Sequence, residues 1–110
     1  MGRVAVLGSL NVDVVTRVER HPGPGETVLG EAAGRFAGGK GGNQAMAARR
    51  AGAEVVMIGR VGQDDAGAAY LDRLHRHGIR TEVPRVDHAP TGAAYVAVDD
   101  QGENVIIVVP

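Results

Sequence analysis

The sequence predicts an α/β fold, a parallel sheet covered by crossover helices and carrying small inserted β segments. Three observations support this class. Aliphatic runs of strand length alternate with helix-spaced small and apolar residues, glycine and proline clusters separate them, and the final stretch has the pattern of a β-hairpin. The resulting order is strand, hairpin, helix, strand, helix, followed by a second β segment.

The first predicted strand lies near the N-terminus. Val4–Leu7, with further valines at positions 12, 14 and 15, indicates a buried strand that runs into the polar corner Gly8-Ser9-Leu10-Asn11, because continuous β-branched residues suit a sheet covered on both faces. Residues 21–25, HPGPG, must form a turn, since prolines lack ladder donors. Thr27–Leu29 and Ala32–Phe36 are then predicted to form a short exposed hairpin.

A helix is predicted over Asn43–Ala51, where small residues recur at helical spacing and Gly52 provides a stop. Glu54–Val61, EVVMIGRV, has the composition of a second buried strand. A second helix follows, capped by Asp64 or Asp65 and ended by Gly78-Ile79. Its apolar face consists of Tyr70, Leu71 and Leu74.

The last β segment is a hairpin. Ala93–Val98 and Asn104–Val109 are apolar runs that flank the turn sequence DDQGE. This second excursion breaks the alternation of strands and helices, so we expect it to lie outside the parallel sheet.

Composition limits the function classes. At 110 residues the chain is at most one domain, and its net charge of −1 comes from 12 basic and 13 acidic residues without a block of like charge, which disfavours nucleic acid and acidic lipid partners. The lack of cysteine excludes disulfides and thiolate nucleophiles. Val4–Leu10 is too short an apolar run for a signal peptide or membrane span. We expect a soluble cytoplasmic protein.

The glycine-rich stretch AGGKGGNQAMAARRAG, residues 37–52, invites a comparison with phosphate-binding loops. Gly34, Gly39 and Lys40 fit the first part of G-x-x-x-x-G-K-[ST], but residue 41 is glycine where a hydroxyl would bind magnesium. The preceding segment, Gly30–Ala37, is short and mixed rather than a buried strand. The sequence therefore disfavours a P-loop nucleotidase.

An oxygen-rich ligand fits this stretch better. Lys40 and Asn43 place a cation and an amide beside exposed backbone N–H groups at the positive end of a helix. Asn11 and Asp13 are predicted at the end of the first parallel strand, and their i, i+2 spacing aims both side chains the same way. A carboxylate and an amide suit the vicinal hydroxyls of a sugar. Plain turn-forming roles for these glycines, Asn11 and Asp13 remain open alternatives.

Six motifs carry a resemblance that covers nearly the whole chain. In order and spacing, the chain resembles the ribokinase-like (PfkB) carbohydrate kinases, and the lysine of GGKGGNQA favours the ribokinase branch over fructokinase and adenosine kinase relatives. The motifs are VLGSLNVD, PGPGETVLG, GGKGGNQAMAARRAGA, IGRVGQDDAG, LHRHGI and TGAAYVAVDDQGENVIIVVP.

The resemblance implies a ribokinase-like α/β core with a small β lid that closes over a sugar. The core would comprise residues 1–16 and 38–82, and the lid residues 17–37 and 91–110. Asn11 and Asp13 match residues that bind sugar hydroxyls, the backbone of Gly38 and Gly39 would line the pocket, and Lys40 and Asn43 would complete it. One departure is Gly42, where alanine is common in the family.

The implied reaction is transfer of the ATP γ-phosphate to the primary hydroxyl of D-ribose or a related sugar, with Mg²⁺ and K⁺ as further cofactors and a homodimer formed through the lid. No G-A-G-D occurs in these residues. We therefore expect the catalytic aspartate, the ATP pocket and the cation loop to lie beyond Pro110, and these residues alone to be inactive. His75 and His77 do not replace the missing catalytic group; we expect them to lie on the surface or at the end of a helix. The alternatives are a non-catalytic sugar-binding or β-edge interaction module, and a fragment with no independent activity.

Overall fold

The computed structural model describes residues 2–110. Over this range the chain forms eleven elements in the order β1 (Arg3–Leu7), β2 (Asn11–Val18), β3 (Gly30–Gly38), α1 (Lys40–Arg50), β4 (Glu54–Ile58), β5 (Val61–Gly62), α2 (Asp65–Arg76), β6 (Arg80–Glu82), β7 (Arg85–Val86), β8 (Gly92–Val98) and β9 (Asn104–Val109). Neither helix of the described residues is long and apolar enough to cross a membrane.

A parallel sheet with strand order β1-β4-β6 forms the first layer, which confirms the predicted α/β class. Both helices pack on one face of it. The resulting core consists of Val6, Leu10, Ala45, Met46, Val55, Met57, Val61, Tyr70, Leu74 and Ile79. The opposite face is not covered by the described residues, and Leu7 there is 80% exposed. Within residues 2–110, one face of the predicted first strand is covered.

The second layer is a four-stranded sheet with strand order β3-β2-β8-β9. β2 runs antiparallel to β3 and parallel to β8, and β8 runs antiparallel to β9. The two predicted β excursions thus form one sheet, and the predicted hairpin near the end of the sequence is confirmed.

Two predictions about the first excursion are wrong. The valines after residue 11 do not continue β1; they belong to β2, because the chain leaves the parallel sheet at the polar corner, before Asn11. Thr27–Leu29 lies in the connection instead of pairing with Ala32–Phe36. The hairpin is formed by β2 and β3, whose ladder extends from Asn11↔Gly38 to Val18↔Gly30 and satisfies far more backbone groups than a three-residue strand could.

The other elements differ mainly at their ends. α1 begins at Lys40 rather than Asn43, and Gly52 and Gly78 follow the two helices at positive φ of 96° and 76°, as predicted for helix stops. The predicted strand Glu54–Val61 divides into β4 and β5. The division falls at Gly59 and Arg60, and a side chain on Gly59 would lie 2.8 Å from the carbonyl oxygen of Gly8, so the backbone passes close to the polar corner there.

Asp64 caps α2, as predicted, and also fixes the start of β8. Its Oδ1 accepts hydrogen bonds from the Gly67 amide (2.8 Å) and the Thr91 hydroxyl (2.6 Å), and its Oδ2 accepts one from the Thr91 amide (2.8 Å). The hydroxyl of Thr91, which is 6% exposed, in turn accepts from the Gly62 amide. These bonds, led by that from the Thr91 side chain, hold the pKa of Asp64 below its ordinary value. The carboxylate therefore joins the helical layer to the second sheet.

Asp64→Ala in the full-length protein is expected to lower the free energy of unfolding by about 1–3 kcal/mol, because a helix cap and bonds to a buried threonine are lost together. Since the folded-state pKa is lowered, this stabilisation is fully present above the ordinary aspartate pKa of about 3.9 and is lost as the pH falls through the folded value. Urea unfolding between pH 7 and pH 2 measures it. Asp65→Ala is the matched control, and equal losses for the two variants would contradict the assignment.

Candidate functional site

Four chain segments meet where the two sheets adjoin. β2 starts there with Asn11, β3 ends at Gly38, α1 starts at Lys40, and β8 starts at Gly92. Asn11 is the register partner of Gly38 on one side and of Gly92 on the other. The structure therefore brings the predicted residues Asn11, Gly38, Gly39 and Lys40 to one junction.

Asn11 and Asp13 lie on one face of β2, as their spacing predicted. Their place in the fold differs from the prediction, since they begin a strand of the four-stranded sheet instead of ending the first parallel strand. The polar corner turns the chain out of the parallel sheet before Asn11, which is why the two residues leave it. Both side chains are half-buried.

The residues beside Asn11 and Asp13 are small. A side chain on Gly92 would lie 2.5 Å from Asn11 Oδ1, and one on Gly38 would overlap the Asp13 carboxylate. Ala94 is the register partner of Asp13 on β8. No side-chain hydrogen bond within residues 2–110 involves Asn11 or Asp13. Their oxygens and the Asn11 amide are therefore available to a ligand.

Gly39 makes the turn from β3 into α1. Its φ of 87° and ψ of 142° lie in a region that essentially only glycine occupies, and a side chain there would lie 2.6 Å from the Ser9 carbonyl oxygen. That oxygen accepts the Gly42 amide at 3.1 Å, and the Gly39 carbonyl accepts the Asn43 amide at 3.1 Å. The bare backbone thus lets the start of the helix lie directly on the polar corner.

The start of α1 is electropositive. It has no side-chain cap and no acidic residue in the first turn, so no side chain of α1 itself compensates the helix dipole there. Gly41 crosses Gly8 so closely that a side chain on Gly41 would lie 2.7 Å from the Gly8 carbonyl carbon. The glycine run therefore serves the close approach of two backbone segments, and it leaves an uncapped helix end beside Asn11.

Two of the predicted side chains belong to α1. Lys40 and Asn43 are exposed in the first turn of α1, and Asn43 lines a cavity of about 250 Å³ that Ala37 and Tyr70 also line. The role of Asn43 in a shared site with Asn11 stays a prediction. His75 and His77 are exposed at the end of α2, away from the junction, as the sequence indicated.

Sequence reasoning missed two contributors to the junction. Gly92 leaves room beside Asn11, but in the sequence it carries no signal beyond its place in the motif that begins at Thr91. Tyr70 was assigned to an apolar helix face, yet its hydroxyl donates a hydrogen bond of 2.6 Å to the Gly38 carbonyl oxygen. Tyr70 is 5% exposed, and this burial is the main reason why its pKa is raised. The contact joins residues 32 positions apart, so local patterns could not have revealed it.

Comparisons with known proteins agree on one family. The profile of the pfkB family carbohydrate kinases matches residues 1–110. A ribokinase of Bacillus subtilis is 43% identical over 110 residues, which are 99% of this chain and 37% of that protein. A ribokinase of Lactococcus lactis is 41% identical over 109 residues, which are 98% of this chain and 36% of that protein.

A solved structure is similar over the same range. The structure of Arabidopsis thaliana ribokinase complexed with ribose and ATP matches with a TM-score of 0.87 at 34% identity, over 99% of this chain and 36% of that one. The chain therefore spans about a third of the length of the relatives that it matches.

Proposed function

Because this chain belongs to the pfkB family of carbohydrate kinases, we propose that it forms the sugar-binding part of an ATP-dependent ribokinase, which phosphorylates the primary hydroxyl of D-ribose. One observation supports the assignment most directly. Asn11 and Asp13 lie on one face of β2 without hydrogen-bond partners among the described residues, and glycines beside them leave space for a ligand.

The proposed recognition follows from donor and acceptor chemistry. The Asp13 carboxylate accepts two hydroxyl hydrogens, and the Asn11 amide both donates and accepts, so together they bind neighbouring hydroxyls of one sugar. The uncapped start of α1, the backbone of Gly38 and Gly39, and the side chains of Lys40 and Asn43 complete the pocket. Lys40 and the helix N-terminus bind oxygen lone pairs, while Asp13 binds hydrogens.

The four-stranded sheet is proposed as the lid over the sugar. Ile106 and Val108 lie on the same face as Asp13 by register and are 52% and 56% exposed, so they would cover a bound sugar and exclude water. Tyr95 and Ile107 lie on the opposite face, at 51% and 63% exposure. That face is the proposed contact surface of a homodimer in the full-length protein.

In this proposal the chain orients the sugar and does not hold the nucleotide. ATP supplies the phosphoryl group, and Mg²⁺ and K⁺ belong to the rest of the protein, as does the catalytic aspartate. Among residues 2–110 no three His, Asp or Glu side chains lie close enough to hold a metal ion, so we assign no magnesium ligand here. Binding the ribose ring through Asn11 and Asp13 fixes the direction of its primary hydroxyl, which an in-line transfer requires.

A second candidate is a non-catalytic interaction module. It is favoured by β9, an edge strand whose six residues are all exposed and mostly apolar. Incubation of the full-length protein with Mg·ATP and D-ribose, followed by NMR of the product, separates the candidates. Ribose 5-phosphate supports the kinase. Ribose binding without turnover, or self-association with neither, supports the module.

Lys40→Ala tests the phosphate-loop alternative. In the full-length protein we expect the KM for ribose to rise about tenfold, because a positive group that contacts sugar oxygens is removed, and the KM for ATP to stay within about twofold. Steady-state kinetics with each substrate varied in turn measures both. Arg50→Ala, at the far end of α1, is the control. A loss confined to ATP, or ATP hydrolysis without sugar that depends on Lys40, would support the nucleotidase instead.

A further inference from the structure

Tyr70 reaches from α2 to the backbone that connects β3 with α1. Its hydroxyl donates to the Gly38 carbonyl oxygen at 2.6 Å, and the residue is 5% exposed. The phenol occupies the space that a side chain at position 42 would need, since a Cβ built on Gly42 overlaps the Tyr70 hydroxyl. Gly42 and Tyr70 therefore form a matched pair, because the missing side chain of Gly42 leaves the space that the Tyr70 phenol occupies.

This pair explains the departure from the family pattern at position 42. An alanine there, as is common in the family, cannot coexist with the Tyr70 phenol in this position. Phenylalanine would serve as well as tyrosine if the ring only filled the core. The Tyr70 hydroxyl, however, donates a hydrogen bond to one backbone atom, the carbonyl oxygen of Gly38. The hydroxyl therefore acts on the backbone of Gly38.

Gly38 is held from two sides. Its carbonyl group accepts the Tyr70 hydrogen bond, and its Cα lies beneath the Asp13 carboxylate, where any side chain would overlap that carboxylate. Burial has the largest effect on the pKa of Tyr70 and raises it, while Arg73 lowers it and Asp13 raises it by smaller amounts. The net pKa is raised, so the phenol is protonated at neutral pH and remains a donor. A fixed hydrogen bond thus connects α2 to the surface on which Asp13 rests.

We propose that Tyr70 is a positioning residue of the sugar site. Its hydroxyl fixes the peptide between Gly38 and Gly39, and this peptide in turn sets the position of the Asp13 carboxylate. Position 42 is glycine because a larger residue would exclude the Tyr70 side chain. This inference rests on the proposed function. Tyr70 does not touch the sugar in this account; it acts through Gly38.

The test uses the full-length protein and two variants that each lose one hydroxyl group. Tyr70→Phe removes the hydroxyl alone and is expected to raise the KM for ribose about fivefold, the effect of one net hydrogen bond, with kcat and the KM for ATP within about twofold. Thr81→Val is the matched control, because it also removes one hydroxyl hydrogen bond, that to His75 at the end of α2, away from the junction. Equal ribose KM values for the two variants, or an equal rise in both KM values for Tyr70→Phe, would overturn the proposal.

A mutant cycle tests the matched pair without any enzyme assay. Gly42→Ala is expected to lower the urea midpoint of the otherwise unchanged protein, and to lower it far less in a Tyr70→Leu background, where the shorter side chain frees the space. The same decrease in both backgrounds would overturn the pairing of Gly42 with Tyr70.

Amide exchange separates failure of this inference from failure of the proposed function. If the unaltered protein phosphorylates no sugar, the ribokinase assignment fails by itself. Exchange at the Gly42 and Asn43 amides, which bond to the carbonyl oxygens of Ser9 and Gly39, still reports how firmly the turn is held. Faster exchange in Tyr70→Phe than in Thr81→Val supports the positioning role, and equal rates contradict it.

Discussion

Asp13→Ala in the full-length protein is expected to raise the KM for ribose at least about a hundredfold, while the KM for ATP changes little. A carboxylate that binds two hydroxyl groups contributes about 1.5–3 kcal/mol for each hydrogen bond, and alanine replaces neither bond. No other acidic side chain occupies this face of β2, whose next residues on the same side are Val15 and Arg17. Steady-state kinetics with ribose and ATP varied separately measures the effect.

Two further variants serve as controls for Asp13→Ala. Asp13→Asn keeps the shape and one acceptor, so its KM should lie between those of the alanine variant and the unaltered protein. Asp72→Ala removes an exposed carboxylate on α2 that pairs with Arg76, and should change neither KM. A KM for Asp13→Ala within about threefold of the unaltered value would mean that this carboxylate does not bind the sugar.

Gly39→Ala is expected to have the second large effect, on folding and binding together. The residue has a φ of 87°, and its new methyl group would lie 2.6 Å from the Ser9 carbonyl oxygen. Backbone strain and overlap together should lower the free energy of unfolding by about 2–4 kcal/mol. Relief of that overlap requires the start of α1 to move away from the polar corner, so ribose binding should be lost with the stability.

Gly23→Ala provides the matched glycine control. No atom lies within 4 Å of a side chain built there, and its φ is not positive. Urea unfolding and the ribose KM of Gly23→Ala should therefore match those of the unaltered protein. If Gly39→Ala behaves like Gly23→Ala in both measurements, the close packing of α1 on the corner has no part in stability or binding.

Periodicity and turn chemistry predicted much of the fold from sequence. The end of α2 before Gly78, the Asp64 cap and the hairpin of β8 and β9 all depend on local residue types, which are visible in the sequence. The three-residue strand β6 was not predicted, because the polar sequence Arg-Thr-Glu carries no apolar signal. It forms because the parallel ladder with β4 offers partners for its backbone.

The wrong predictions concern contacts between residues that are distant in sequence. The valines of β2 would suit either sheet, so their composition could not indicate that the chain leaves the first sheet before Asn11. The resemblance indicated Asn11, Gly38 and Gly39, which lie where the two sheets adjoin. It did not indicate Tyr70, because its role depends on a contact with Gly38 across the fold and on the absent side chain of Gly42.

Hydrogen–deuterium exchange of the full-length protein, with and without saturating ribose and without nucleotide, tests the central claim most directly. The claim is that the start of β2 and the turn from β3 into α1 hold the sugar. We predict ribose-dependent protection in peptides that cover residues 11–13 and 38–43, and none in a peptide that covers residues 72–77 at the end of α2. Ribose binding that protects other parts of the protein and leaves residues 38–43 unchanged would contradict the account.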